Sequence, residues 1–328
     1  MTTTGIAVLS AWHVHAEEYA RAAHDNPHAE VSVLWDDDRE RGSALAETLG
    51  VPYDSDLDRV LAREEIHGVT VTTATTDHLA VIGAAIDAGK HVFTEKLLAP
   101  TVEECEELID RARAAGITLT VSLPRLTHGY TSAIRRILDE GTLGQLTYTR
   151  IRLAHDGAVR DWLPARFYDP AAAIGGAFSD LAAHPVYLTQ EILGTDLTVV
   201  GAAYTDLTGR GVEDNAVVTV TSPDGAIGSI ETGFVTPASP FSIEIHGTAG
   251  SLQYGLGPDA AMLLDSGSGW AAVDAPADDP ILVDTWIDHI RAGTPDVDTP
   301  ARAIALTALV EQANRAASLT TSSEGSTR

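Results

Sequence analysis

The first 120 residues alternate short apolar runs with longer amphipathic ones. Ile6–Leu9, Val31–Trp35, Gly68–Thr73, His91–Phe93 and Thr118–Ser122 are brief, rich in β-branched residues and bounded by small or polar ones, which predicts buried strands. Between them Ala16–Ala23, Arg39–Leu49, His78–Ala88 and Val102–Ala115 carry helical patterns, with Gly50, Gly89 and Gly116 placed to end three of them. Strands separated by helices predict a parallel sheet with right-handed crossovers.

The second half reads differently. A helix at Ser132–Glu140 precedes an alternating strand, Leu146–Ala154, and a helix at Phe178–Leu193 follows. Strands then come in close succession at Leu197–Tyr204, Asn215–Thr221, Gly225–Thr232, Phe241–His246 and Gly250–Tyr254, with Ser222-Pro223-Asp224-Gly225 as a turn by its own chemistry. Consecutive strands without helices between them predict an antiparallel sheet. The expected fold class is therefore an α/β N-terminal Rossmann-like domain with a parallel sheet, over residues 1–122. An α+β domain with a largely antiparallel open sheet is expected to follow over residues 123–328.

Composition narrows the function classes. The net charge of −26 argues against nucleic acid as a partner, because neutralising phosphates needs clustered Lys and Arg. No apolar run approaches the ~20 residues of a membrane span, and no basic flank with an apolar core opens the chain. One cysteine, Cys105, excludes an intramolecular disulfide framework, and a cytoplasmic location is expected. Of the 21 basic residues all but Lys90 and Lys96 are arginine. Lysine differs from arginine in losing its proton when desolvated, so its retention in this one segment marks it as a candidate for chemistry.

Several positions carry candidate chemistry. Asp36 ends the second strand, where a dinucleotide-binding βαβ unit places the carboxylate that accepts from the ribose hydroxyls. With Asp37 and Asp38 beside it, a 2′-phosphate would be repelled, so NAD is expected rather than NADP. The stretch VLSAWHVHAEEY, residues 8–19, places His13 and His15 just after the first strand. Two such imidazoles serve as metal ligands in barrel hydrolases, but that reading needs further ligands from later strand ends and a barrel that the second half does not continue. No metal is expected. Asp180 and His184, four residues apart, would share a helix face, making His184 a proton acceptor oriented by a carboxylate. Arg125 follows the fifth strand, where a parallel sheet forms its cleft, and Trp162 and Arg166 precede the pair Gly175-Gly176. These three are candidate substrate contacts, with packing or surface pairing as the plainer alternative.

The stretch TTATTDHLAVIGAAIDAGKHVFTEK, from Thr72 to Lys96, resembles the segment of the Gfo/Idh/MocA family (glucose-fructose oxidoreductase, inositol dehydrogenase, rhizopine catabolism) that runs from a TP-N-xx-H loop through AGKHV to Glu-Lys-Pro. The resemblance extends to the glycine pair followed by Asp180 and His184 and covers nearly the whole chain. It implies an NAD-dependent oxidoreductase acting on a hydroxyl of a sugar, inositol or other polyol, with Lys96, Asp180 and His184 as the catalytic group. It implies cofactor contacts from Ser10, Trp12, His13, Asp36, Thr73, Thr75, His78, Glu95 and Lys96, and a homodimer or homotetramer. Two departures stand out: Leu97 replaces the family's proline, and the first turn has no glycine, Ser10, Ala11 and Trp12 standing where the family has GxGxxG. Relatives that cleave glycosides through transient oxidation, and relatives that have become sensors, are the alternatives that keep this fold.

Overall fold

The computed structural model describes residues 3–238, 241–256, 261–317 and 319–321. By packing, residues up to Pro124 and Pro280–Thr307 form one unit, and Arg125–Asp279 with the chain from Ala308 onward form another.

The first unit contains β1 (Thr4–Leu9), α1 (Ala16–Asp25), β2 (Ala29–Trp35), α2 (Arg39–Leu49), β3 (Tyr53–Asp54), α3 (Leu57–Leu61), β4 (Gly68–Val71), α4 (His78–Asp87), β5 (His91–Thr94), α5 (Val102–Ala115) and β6 (Leu119–Val121). The strands pair in parallel in the order β3-β2-β1-β4-β5-β6. The order reverses at β1, and the crevice at the strands' C-terminal ends there is where open α/β sheets bind ligands. Both faces of the sheet are covered, as the unbroken apolar runs require. Along β1, Ala7 and Leu9 pack into one layer with Val81, Ile82, Cys105 and Leu108. Ile6 and Val8 pack into the other with Tyr19, Ala20 and Trp286. Local chemistry fixes the helix ends. Asp38 caps α2 and Thr101 makes a capping box with Glu104 at the start of α5, while Gly50 and Gly116 close the two helices in left-handed conformations at φ 70° and 67°.

The second unit contains α6 (Gly129–Asp139), β7 (Leu146–Ala154), α7 (Pro170–Ala173), α8 (Ala177–Asp180), α9 (Ala183–Leu193), β8 (Thr198–Asp206), β9 (Asn215–Thr221), β10 (Ile227–Gly233), β11 (Ser242–Gly247), β12 (Ser251–Tyr254), β13 (Met262–Asp265) and β14 (Ala271–Ala272). Two further helices follow, α10 (Leu282–Ala292) and α11 (Asp298–Ala316), and then β15 (Leu319–Thr321). The sheet order is β14-β13-β12-β11-β7-β10-β9-β8-β15. Pairing is antiparallel except for β7 with β10 and β8 with β15. α10 belongs to the first unit, where Val283, Trp286 and Ile287 complete one of its two apolar layers, and α11 opens there too. No helix among the described residues is long and apolar enough to cross a membrane.

One expected helix is divided. In place of a continuous Phe178–Leu193, α8 ends at Asp180 and α9 begins at Ala183. Asp180 and His184 thus sit on two short helices and do not share the regular i, i+4 face of one.

Candidate active site

The turn after β1 solves a steric problem without glycine. Ser10 adopts φ 76°, the left-handed region that costs an ordinary residue about 1–2 kcal/mol. Polar contacts hold it there. Its amide donates to Trp35 O at 2.6 Å, and its carbonyl accepts from Thr72 Oγ1 at 2.6 Å. Its hydroxyl donates to Asp36 Oδ2 at 3.2 Å and accepts from the Trp12 amide at 3.1 Å. Asp36 is fully buried and is the hub of this arrangement, accepting also from the amides of Ala11 at 2.6 Å and Asp38 at 2.8 Å and from the guanidinium of Arg41. Burial by itself would raise its pKa; the hydrogen bonds from Arg41 and the turn outweigh it, so the carboxyl titrates below its ordinary value. Trp12 folds inward and is buried.

At the end of β5, Glu95 and Lys96 are both buried, with Lys96 Nζ 3.5 Å from Glu95 Oε1. Glu95 Oε2 accepts from the Tyr19 hydroxyl and lies 3.1 Å from His15 Nδ1 and 3.8 Å from His13 Nδ1. A carboxylate only accepts, so in this pair His15 Nδ1 carries the proton. Because Tyr19 donates to Glu95, its oxygen accepts from Ser122 Oγ at 2.7 Å. Burial opposes the Glu95 charge, but His13, Lys96 and His15 outweigh it and hold the carboxyl well below its ordinary range. The Lys96–Leu97 peptide bond is cis, at the position where the family has proline.

Thr73 and His78 flank this cluster in sequence and differ in setting. The Thr73 hydroxyl is buried and has no hydrogen-bond partner, while Thr75 starts a single 3₁₀ turn. His78 is fully buried and places Nδ1 3.0 and 3.1 Å from the carbonyls of Leu97 and Leu98, so Nδ1 bears the proton and the ring ties α4 to the loop after Lys96. Burial lowers its pKa and keeps it neutral. The other lysine has a structural post: Lys90 Nζ donates to the carbonyls of Arg63 and Ile66 at 3.0 and 2.8 Å.

In the second unit His184 is buried, with Nδ1 2.8 Å from the Tyr187 hydroxyl, which also accepts from the Arg125 amide at 3.1 Å. Tyr187 thereby links His184 to Arg125, whose guanidinium lies 4.1 Å over the Phe241 ring and whose Nε is buried without a hydrogen-bond partner. The pair Gly175-Gly176 has a steric reason. Gly175 has φ 141°, and a Cβ on Gly176 would stand 2.1 Å from Glu213 O. The Glu213 carboxylate in turn accepts from the amides of Gly176 at 2.9 Å and Phe178 at 3.0 Å, capping α8. Asp180 acts electrostatically on His155, a ring stacked on Phe234 at 4.8 Å and close to Trp162 at 4.7 Å. Trp162 is exposed and donates to Asp156 Oδ1 at 2.9 Å, and Arg166 lies 5.8 Å over Phe167.

The structure therefore gathers His13, Glu95 and Lys96 in one cluster, Ser10 and Asp36 in a second, and Arg125 and His184 about one tyrosine. Sequence reasoning missed Tyr19, Tyr187, His155 and Glu213. Tyr187 had a signal, its i+3 spacing from His184; Glu213 had none.

Known proteins resemble this chain across both of its halves. The family description "Oxidoreductase family, NAD-binding Rossmann fold" matches residues 10–123, and "GFO/IDH/MocA C-terminal domain" matches residues 131–253. A dTDP-3,4-didehydro-2,6-dideoxy-alpha-D-glucose 3-reductase of Streptomyces violaceoruber is 29% identical over 188 residues, which span 57% of this chain and 54% of that one. KijD10, a 3-ketoreductase from Actinomadura kijaniata solved with NADP and TDP-benzene, superposes with a TM-score of 0.87 at 20% identity over 98% of this chain and 99% of that one. GenD2 from gentamicin A biosynthesis, solved with NAD, superposes with a TM-score of 0.82 at 24% identity over 96% and 94%. With both of its domains matched in order, the chain belongs to the Gfo/Idh/MocA family of oxidoreductases.

Proposed function

We propose that the protein oxidises a secondary hydroxyl of a sugar, inositol or related polyol, with NAD as the hydride acceptor, or runs the same step in reverse. The observation that carries this reading is Lys96, a buried cation held by Glu95 at the C-terminal end of β5 in a Rossmann sheet.

The residues present fit a dinucleotide, though not by the usual turn. The amides of Ala11, Trp12 and His13 are already engaged within the protein, by Asp36, Ser10 and Thr72. What remains is the side chains after β4: Thr73, with its unpartnered buried hydroxyl, and Thr75. NAD is preferred over NADP because Arg41 is already paired with Asp36 and Asp37, so it cannot meet a 2′-phosphate without giving up both.

In the oxidation direction the nicotinamide supplies the acceptor for the hydride leaving carbon. His184 takes the hydroxyl proton, its ring fixed by Tyr187, and Asp180 supports the charge that His184 gains. Lys96 stabilises the oxygen as it becomes a carbonyl. Arg125, Trp162 and Arg166 contact the substrate. We further propose that the protein is a homodimer or homotetramer, through the open nine-stranded sheet.

Screening polyols and sugars for NADH formation tests this reading. Lys96→Ala and His184→Ala are each expected to lower kcat by about 10²–10⁴, and Lys96→Ala, which breaks a buried ion pair, also lowers the melting temperature. Unchanged turnover in both variants would overturn the assignment.

A further inference from the structure

The dinucleotide reading gives no chemical reason for two histidines one residue apart. A metal reading of that pair needs a third ligand from a later strand end, and Glu95, directly after β5, is such a ligand. One ligand atom from each of His13, His15 and Glu95 lies within 4.8 Å of the others. We propose that these three residues form a binding site for one divalent first-row transition-metal ion of the zinc type.

The spacing suits such an ion. Glu95 Oε2 lies 3.1 Å from His15 Nδ1 and 3.8 Å from His13 Nδ1. Metal–ligand bonds of about 2.0–2.2 Å in tetrahedral geometry set ligands roughly 3.4 Å apart, so only small side-chain shifts are needed. Two imidazoles and one carboxylate select zinc, cobalt or nickel over calcium and magnesium, which take all-oxygen shells. The outer shell is in place as well. Tyr19, itself held by Ser122, donates to Glu95, as hydrogen-bonded partners do for metal-bound carboxylates. Lys96 addresses the other carboxylate oxygen, Oε1, so Oε2 accepts from Tyr19 and offers its second lone pair to the ion. The His15 side chain is 31% exposed and gives a route in from solvent.

Loading changes two existing contacts. The His15 proton moves from Nδ1 to Nε2, and His13 Nδ1 gives up a long hydrogen bond from the His15 amide at 3.3 Å. Three protein ligands leave a fourth position for water or for an oxygen of a bound molecule, the pattern of open rather than closed zinc sites. The site would also tie the glycine-free turn to β5 through a single ion.

The test requires no dinucleotide and no turnover, so it stands or falls apart from the proposed function. Chelator-stripped wild-type protein is titrated with Co²⁺ and followed by its visible ligand-field bands. Imidazole NMR signals are then followed during Zn²⁺ addition, and metal is counted after dialysis. The expected result is one ion per chain at micromolar or lower concentration, with two histidine rings shifting together. His13→Asn and His15→Gln should each weaken binding at least 100-fold, and Tyr19→Phe by about 10-fold. Absence of stoichiometric binding to the wild type would overturn the proposal. So would wild-type affinity in both histidine variants, or NMR shifts in other rings. The wild-type titrations decide the matter even if a variant fails to fold.

Discussion

Two turns, one in each unit, lead the chain into a helix at close quarters, and they hold a difficult backbone by opposite means. Before α8 the chain uses glycine: Gly175 takes φ 141°, and Gly176 lets the backbone pass where a Cβ would meet Glu213 O at 2.1 Å. After β1 no glycine is present, and Ser10 is kept at φ 76° by a serine hydroxyl, a threonine hydroxyl and a buried carboxylate. Removing a Cβ makes a conformation permissible; tethering makes it compulsory. The second route engages the amides that a glycine-rich turn leaves open for a ligand, and so ties ligand recognition to side chains.

Substitutions at three positions probe this contrast. Asp36→Ala should have the largest effect, because it removes the buried one of Arg41's two carboxylate partners and releases both Ser10 and the Ala11 amide. A loss of about 3–5 kcal/mol in urea unfolding is expected, as for a broken buried pair. A loss under 1 kcal/mol would mean that the turn holds itself. Gly176→Ala should cost about 1–3 kcal/mol, since backbone must move to admit the methyl group, and calorimetry should show it as a lowered melting temperature. The smallest and most discriminating comparison is at Ser10 itself. Ser10→Gly relieves the left-handed strain while losing the hydroxyl, so the two changes offset to within about 1 kcal/mol. Ser10→Ala keeps the strain and loses the hydroxyl, and should be less stable than the glycine variant by about 1 kcal/mol. Equal stability of the two would remove the tethering argument.

Much of the fold could be read from residue periodicity. The bounds of α2, α5, β7 and β9 follow from their caps and alternation, because those signals are local. What could not be read depends on distant partners. The start of α8 is fixed by Glu213, which approaches from another part of the chain. The apolar face of α10 is visible in Val283, Trp286 and Ile287, but nothing in the pattern says which sheet it covers. The site was legible in the same uneven way. Lys96 and Glu95 stood out by residue type and resemblance, whereas Tyr19 is an ordinary apolar-face residue in α1 until the fold brings Glu95 and Ser122 to its hydroxyl. The rarity of lysine marked two positions alike, and only the structure separates Lys90, bonded to two carbonyls, from Lys96, paired with Glu95.

The return of α10 to the first unit bears on how the protein is made. Trp286 is fully buried beside Phe93, at 5.8 Å between ring centroids, and packs against Gly68, where a Cβ would meet its ring at 2.8 Å. A nascent chain that has emerged only as far as Pro124 therefore carries every strand of its parallel sheet yet leaves the part of one face under Trp286 uncovered. Ribosomal synthesis of Arg125–Asp279 intervenes before α10 arrives. The N-terminal unit is the first to be translated, but its apolar layer is completed only when Trp286 has been made.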